Sequence, residues 1–397
     1  MAGDGGWADL PVDLFSLIFS KLSLPHLFRS AAVCVSWSAA AHEVRTRSGR
    51  LVFQGQSPWL MFGGGRRGDP SAATFYSFYE RREYTIALPD PPISRRLLIG
   101  SAHGWVITAD TCSGLLQLLN PITGAQIDLP SILSYNHIDL IDSDGEDCII
   151  RTRQRIAVTK SLLGYIHLKA TLSADPSLGG DYIVALVHHL LPGISFTLSG
   201  YQSWFWLTDS VEIQDILFHD GKLYATTITG SVRVCVFDDA QLRRGNIPRF
   251  KSVVPRNDGS YHFHYLAETP RGDLLNIRRK RDRYRGTAFA EVYRLLLEEK
   301  RISRRTEQMK DLGELIIFLG SNHPLCLSAS DFPHLTPNSI YFTDDLRLVD
   351  RRRMSMSIKE RIGPDVGIYS MTDHTYTRIF PGDLRLNWPP PVWFKLD

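Results

Sequence analysis

Two stretches about a hundred residues apart carry the same cadence, and that cadence narrows what the chain can fold into more than any other feature. His103-Gly104-Trp105-Val106-Ile107-Thr108 leads to a turn at Ser113-Gly114, then to Leu115–Leu119, a turn at Asn120–Gly124, and Gln126–Leu129. Ile213–Phe218 turns at Asp220-Gly221 into Lys222–Thr227, then at Thr229-Gly230 into Ser231–Phe237. Side chains in these runs alternate with period two, and Asp-Gly supplies the positive φ that a twisted hairpin needs. Tyr261–Glu268 with Asp273–Arg278, then Ala288–Leu297, Ile340–Thr343 and Gly367–Met371 continue the series. Repeated meanders with few helices between them predict an antiparallel all-β repeat. About 300 residues at roughly 40–50 per blade give a β-propeller of six or seven blades. A pair of β-sandwiches stays open, because no Trp-Asp repeats and the double glycines at Gly63–Gly65 and Gly179-Gly180 do not recur.

The first fifty residues follow a different rule. Pro11 suits the start of a helix that runs to Leu22, Ser23 caps a second with Pro25 in its first turn, and a third begins near Ser36. At about 100° per residue, the large apolar side chains of the first helix cover an arc of roughly 200°. The arc runs from Leu17 through Leu14, Ile18, Leu22 and Phe15 to Phe19. A helix packed on one neighbour needs a stripe about half as wide, and a unit of some forty residues is too small to bury the excess alone. The surplus must pack on the rest of the chain or on another protein.

Composition sets outer bounds. With 397 residues, 43% hydrophobic and 22% charged, the chain has enough apolar content for a core and is not globally disordered. No run approaches the ~18 apolar residues of a membrane span, and the opening residues, with Asp4 and Asp9, do not read as a secretory signal. The five cysteines are scattered and form no Cys-x-x-Cys, which fits a reducing compartment, nucleus or cytoplasm. Arg271–Lys310 holds thirteen Lys and Arg against six Asp and Glu. Within it, Arg278, Arg279, Lys280, Arg281, Arg283 and Arg285 read as a basic hairpin loop, either merely solvated or offering a surface to an acidic partner or to nuclear import.

Catalytic signatures are missing from the sequence. Gly63–Gly68 satisfies the spacing of a dinucleotide loop, but Asp69-Pro70-Ser71 follows where a helix must start. His262 and His264 share a strand face without a third ligand, and His188-His189 point to opposite faces. There is no Gly-x-Ser-x-Gly elbow and no Walker loop. No cofactor, metal or enzymatic activity is expected.

Residues 7–37 resemble an F-box. Leu10-Pro11, Asp13-Leu14, Ile18, Leu22 and Val33-Cys34 with Trp37 carry the likeness in order. The remainder is similar to plant F-box proteins whose C-terminal region is described as a kelch-like, KIB-type β-propeller. That likeness rests on Gly104-Trp105, Leu119–Gly124, Asp215–Ala225, Gly272–Leu275, Val292–Leu295, Leu312–Glu314, Asn338–Asp345 and Pro391–Phe394. Thr306–Lys310 lacks the tryptophan the family often has there, and Glu314 replaces an aspartate. The resemblance implies an α+β protein by segregation: a three-helix F-box at 7–48, a connector at 49–96 whose aromatic strands could close the ring, and a propeller at 97–397. It implies the non-catalytic receptor subunit of a Skp–cullin–F-box ubiquitin ligase, bound to a Skp adaptor and through it to cullin. The propeller would hold a protein substrate, with neither nucleic acid nor membrane as a partner. Carried over by position, Leu10, Pro11, Leu14, Ile18, Leu22, Leu27, Val33, Cys34 and Trp37 face the adaptor, or alternatively the helical unit's own core. The rival reading is a propeller that binds nucleic acid or a ligand, or acts as an enzyme, with helices that only pack against it.

Overall fold

The structure is a computed structural model that describes residues 10–22, 24–31, 33–47, 57–64, 69–131, 139–143, 147–151, 167–188, 193–207, 212–238, 242, 247–255, 263–282, 286–297, 305–343, 365–380 and 383–395. Three helices come first: α1 at Val12–Phe19, α2 at Leu24–Ala31 and α3 at Val35–Arg47. Pro11 precedes α1 in an extended conformation, and its carbonyl accepts the N–H groups of Leu14 and Phe15. α1 stops at Phe19, one turn earlier than the apolar pattern predicts, so Leu22 packs from the segment beyond it. On α3, Trp37, Ala40, Ala41 and Val44 recur at helical spacing and turn inward.

Six sheets then form a propeller. Blade two holds Arg96–Ala102, Trp105–Asp110, Leu116–Leu119 and Gln126–Asp128; blade three holds His167–Leu172, Ile183–His188, Ile194–Leu198 and Phe205–Leu207. Blade four holds Ile213–His219, Lys222–Thr227, Val232–Val236 and Lys251–Val254; blade five holds Phe263–Glu268, Leu274–Asp282, Gly286–Leu295 and Thr306–Met309. Blade six has five strands in the order Leu325–Ser328, Leu315–Leu319, Ser339–Phe342, Gly367–Ser370 and Tyr376–Arg378, with Leu315–Leu319 parallel to Ser339–Phe342. A separate hairpin, Asp139–Ser143 with Asp147–Arg151, is inserted between blades two and three.

Blade one corrects the expected boundary at residue 97. Trp59–Gly63, Ala72–Ser77 and Arg82–Ala87 are its three outer strands, and Val392–Phe394 from the far end of the chain is the fourth. Trp59 lies opposite Phe394 and Leu60 opposite Trp393, so the ring is closed by pairing two distant segments. What reads as a connector is three quarters of a blade whose remaining strand lies more than 300 residues away in sequence.

The hydrophobic side chains explain why the ring is stable. Each of six buried clusters straddles two neighbouring blades. In blade two, for example, Leu97 and Ile99 pack toward blade three while Leu98 packs toward blade one. Alternation along one strand therefore feeds two different interfaces. Covered on both faces, Arg96–Ala102 and Trp105–Asp110 are buried throughout, whereas the outer strand Gln126–Asp128 meets solvent. Neighbouring blades approach closely enough at Gly100 that a Cβ there would clash with the Ala170 carbonyl. Only glycine fits.

Candidate functional site: the exposed half of the first helix

The arc of α1 is divided between two environments. Phe15 and Phe19, on adjoining turns, are buried; their rings lie 5.6 Å apart and meet Trp37 at 5.6 and 5.5 Å. They belong to one cluster that also takes in Leu27, Ala40, Ala41 and Val44, and that continues into Trp59, Phe75, Tyr84 and Ile86 of blade one. Trp59 stacks on Tyr84, and Arg29 of α2 donates to the Tyr84 hydroxyl at 3.3 Å and pairs with Glu80. The helices are thus seated on the side of blade one.

The other half of the arc has no such cover. Leu14, Leu17 and Ile18 remain 46%, 62% and 42% exposed, and Pro11 is exposed beside them. At about 100° per residue these three large side chains span roughly 100° of α1, the width of one packing stripe. Val33 and Val35, 62% and 87% exposed, add apolar area at the start of α3, with Cys34 half-buried between them. Single exposed apolar residues are ordinary; a continuous stripe of three on one helix is not.

Of the nine residues expected to face an adaptor, five fall on or beside this surface: Pro11, Leu14, Ile18, Val33 and Cys34. Leu27 does not. It is fully buried in the cluster shared with blade one and has no face to offer a partner. Trp37, Leu22 and Leu10 are partly buried against the same cluster. Leu17 and Val35 share this exposed surface but were not among the nine; Leu17 stood at one edge of the predicted arc, so the angular reading already included it where motif matching did not. Trp7–Asp9, the opening of the F-box likeness, lie outside the described residues.

The basic segment is corrected more sharply. Arg278, Arg279, Lys280 and Arg281 do not form a projecting loop but continue the strand Leu274–Asp282, and Arg283 and Arg285 lie outside the described residues. Arg279 is fully buried: it pairs with Asp365, donates to Tyr265 Oη at 2.9 Å and Thr287 Oγ1 at 2.8 Å, and lies 4.2 Å from the centre of the Phe342 ring. Arg281 Nε lies 2.9 Å from the same Asp365, which also accepts the Tyr376 hydroxyl at 2.6 Å. Arg278 stacks over Tyr293 at 3.8 Å on the opposite face. Of the described residues of this run, only Lys280 is exposed. Two of the four described charges, Arg279 and Arg281, join blade five to blade six.

Polar groups at the propeller axis are likewise consumed internally. Lys169 Nζ lies 2.5 Å from Asp215 and donates to the Gly320 carbonyl at 3.1 Å, while Asp215 also accepts the N–H groups of Ile216 and Leu266. Burial raises the Asp215 carboxyl above its ordinary value, and the ion pair and backbone bonds oppose that shift. Thr171 Oγ1 and His323 Nδ1 meet at 3.1 Å, and the His323 backbone N–H donates to the Ser101 carbonyl across the propeller. Removal from water, reinforced by His103 and nearby lysines, lowers His323 to about 3.

Among the described residues, no three His, Cys, Asp or Glu side chains gather as a metal site, and no helix is long and apolar enough to cross a membrane. His264 is buried, while His262, His189 and Gly65–Gly68 lie outside the described residues.

An F-box-like domain model matches residues 7–46, and a KIB1-4 β-propeller model matches residues 75–370. An F-box/kelch-repeat protein of Arabidopsis thaliana is 24% identical over 360 residues, covering 85% of this chain and 83% of that protein. A putative F-box protein of the same plant is 30% identical over 354 residues, covering 85% and 86%. A solved luciferin-regenerating enzyme overlaps with a TM-score of 0.34 at 10% identity, covering 79% of this chain and 94% of that one, too loosely to carry an argument. With one model on its helical unit and the other over most of its propeller, the chain belongs to the family of F-box proteins that carry a KIB1-4 β-propeller.

Proposed function

We propose that this protein is the substrate-recognition subunit of a Skp–cullin–F-box ubiquitin ligase. Its helical unit docks on a Skp-type adaptor, and its propeller presents a protein substrate to the catalytic subunits while performing no chemistry itself. The observation that carries the reading is the bare stripe of Leu14, Leu17 and Ile18 inside the F-box match. The rival in which the helices only pack on the propeller accounts for Phe15 and Phe19, but it leaves that stripe without a purpose.

Docking through this stripe assigns Pro11, Leu14, Leu17 and Ile18 as the central contacts, with Val33, Cys34 and Val35 beside them. Leu10, Leu22 and Trp37 position the stripe from behind, and Leu27 anchors the unit to blade one. The experiment is capture of a purified Skp adaptor by the full chain, comparing wild type with Leu14→Ala/Ile18→Ala. Loss of capture with unchanged melting supports the reading. Wild-type protein that fails to bind adaptor at micromolar concentration defeats it.

A further inference from the structure

A cleft of about 710 Å³ opens where the turns of blades three, four and five converge, within the ~300–1,000 Å³ range of ligand sites. Tyr182, Phe218 and Phe237 supply aromatic walls, with Phe218 and Phe237 ring centres 6.0 Å apart. Tyr201, 43% exposed, stands among the lining residues.

Three carboxylates, each from a different blade, line the same opening: Asp181, Asp220 and Glu268. Among the described lining residues there is no lysine or arginine. Local compensation is partial. Asp181 takes a hydrogen bond from Ser199 at 3.1 Å, Asp220 lies 3.0 Å from Lys222 Nζ at the surface, and Glu268 lies 2.9 Å from His219 Nδ1. In a chain with a net charge of +3, a hollow with this lining runs against the overall sign.

Aromatic faces and carboxylates together favour one chemistry. A guanidinium stacks on tyrosine or phenylalanine and bonds a carboxylate with two parallel N–H groups, while its methylene stem covers apolar wall. A lysine ammonium matches the charge but not the planar geometry. An acidic segment meets like charge on three sides.

We propose that this cleft is where the propeller reads its substrate, and that its occupant is an extended, arginine-bearing protein segment. The inference rests on the receptor role argued above and adds the substrate's chemistry to it. The turns at Ser173–Asp181, Ser199–Tyr201 and His219–Gly221 are then the reading loops, held in place by the rigid blades beneath them.

The test uses the purified full chain and degenerate peptide pools whose central residue is fixed as Arg, Lys, Gln or Glu. Wild type retains the Arg pool about tenfold over the Gln pool, with Lys between them and Glu lowest. Asp181→Lys/Glu268→Lys reverses the order, and the near-isosteric Asp181→Asn/Glu268→Gln flattens it, so the result does not depend on one variant folding. Equal retention of all four pools by wild type, or an arginine preference that survives both double variants, overturns the proposal. Adaptor capture by the same preparation separates the two claims. Capture without arginine preference removes only the cleft assignment, whereas arginine preference without capture removes the receptor role and leaves the cleft standing.

Discussion

The first helix and the strand Leu274–Asp282 are opposite cases. α1 is among the most apolar segments of the chain, yet half of its apolar arc faces water. The strand ends in a run of positive charge, yet Arg278, Arg279 and Arg281 are buried. Hydropathy ranks the two the wrong way round. What decides is whether the chain itself supplies the complementary group. Asp365, Tyr265 and Phe342 satisfy Arg279 from within, whereas blade one has room for Phe15 and Phe19 but not for Leu14, Leu17 and Ile18.

The largest effect that can break this contrast is Asp365→Ala. It leaves Arg279 and Arg281 without their buried carboxylate, and an uncompensated buried charge costs about 3–5 kcal/mol. Urea unfolding of the full chain measures it. A loss below about 1 kcal/mol would mean that water or another group replaces the carboxylate, and that the two blades are not joined through it.

Buried histidines sharpen the comparison, because they give up their charge instead of pairing it. Among the described residues neither ring nitrogen of His167 finds a hydrogen-bond partner, and burial lowers the ring to about 4. His264 is lowered to about 4 by burial and then by Arg278. In the unfolded chain each titrates near 6.5, so between about pH 6.5 and 4 the unfolded state holds the extra proton. Stability is full above that window and falls as pH drops through it, by up to about 3 kcal/mol for each ring. His167→Phe is expected to flatten the slope of unfolding free energy against pH in that window. Asp365→Ala, which changes an ionic contact, leaves this slope in place.

These cases also mark how far the sequence could be read. The period-two cadence, the three helices and the family likeness were legible because each is carried by residues close in sequence. The basic run was misjudged because Asp365 stands some eighty residues further on. In the folded strand Leu275 and Ile277 face blade six, and Arg279 and Arg281 continue on that face, while Leu274 and Arg278 share the other. Four consecutive basic residues show no polar–apolar alternation in the sequence, so the two faces became visible only in the fold. The connector's aromatic strands were expected to be able to close the ring, but that they form most of a blade was hidden by distance, since its fourth strand is Val392–Phe394. The apolar arc showed a surplus, but only the packed structure could divide it, because the division depends on how many helical positions blade one reaches. The cleft had no sequence signal, since its three carboxylates come from three blades.

A smaller effect tests the exposed half of the contrast directly. Leu14 and Ile18 are already about half covered, so docking has only the remainder to gain. Truncating either to alanine should weaken adaptor binding by about 1–2 kcal/mol, on the order of tenfold, as read by titration calorimetry. Thermal stability of the free chain should shift little, because each side chain is only half engaged in it. If Leu14→Ala lowers the melting temperature as much as Phe15→Ala does, the two halves of the helix are not distinct and the stripe is structural.

The smallest expected effect comes from the one member of the described basic run that meets solvent. Lys280 alternates with Arg279 and Arg281 and points away from Asp365, so Lys280→Glu should change stability by no more than about 0.5 kcal/mol. Arg279→Glu, one residue earlier, brings a second carboxylate beside Asp365 in a buried interface and should destabilise the blade pair about as much as Asp365→Ala does. A run treated as one basic patch predicts similar results for both substitutions, because each moves the patch by the same two charges. A strand whose faces alternate predicts a small change and a large one from adjacent positions. Comparable melting curves for the two variants would return this segment to a solvated loop and reopen it as a surface for an acidic partner.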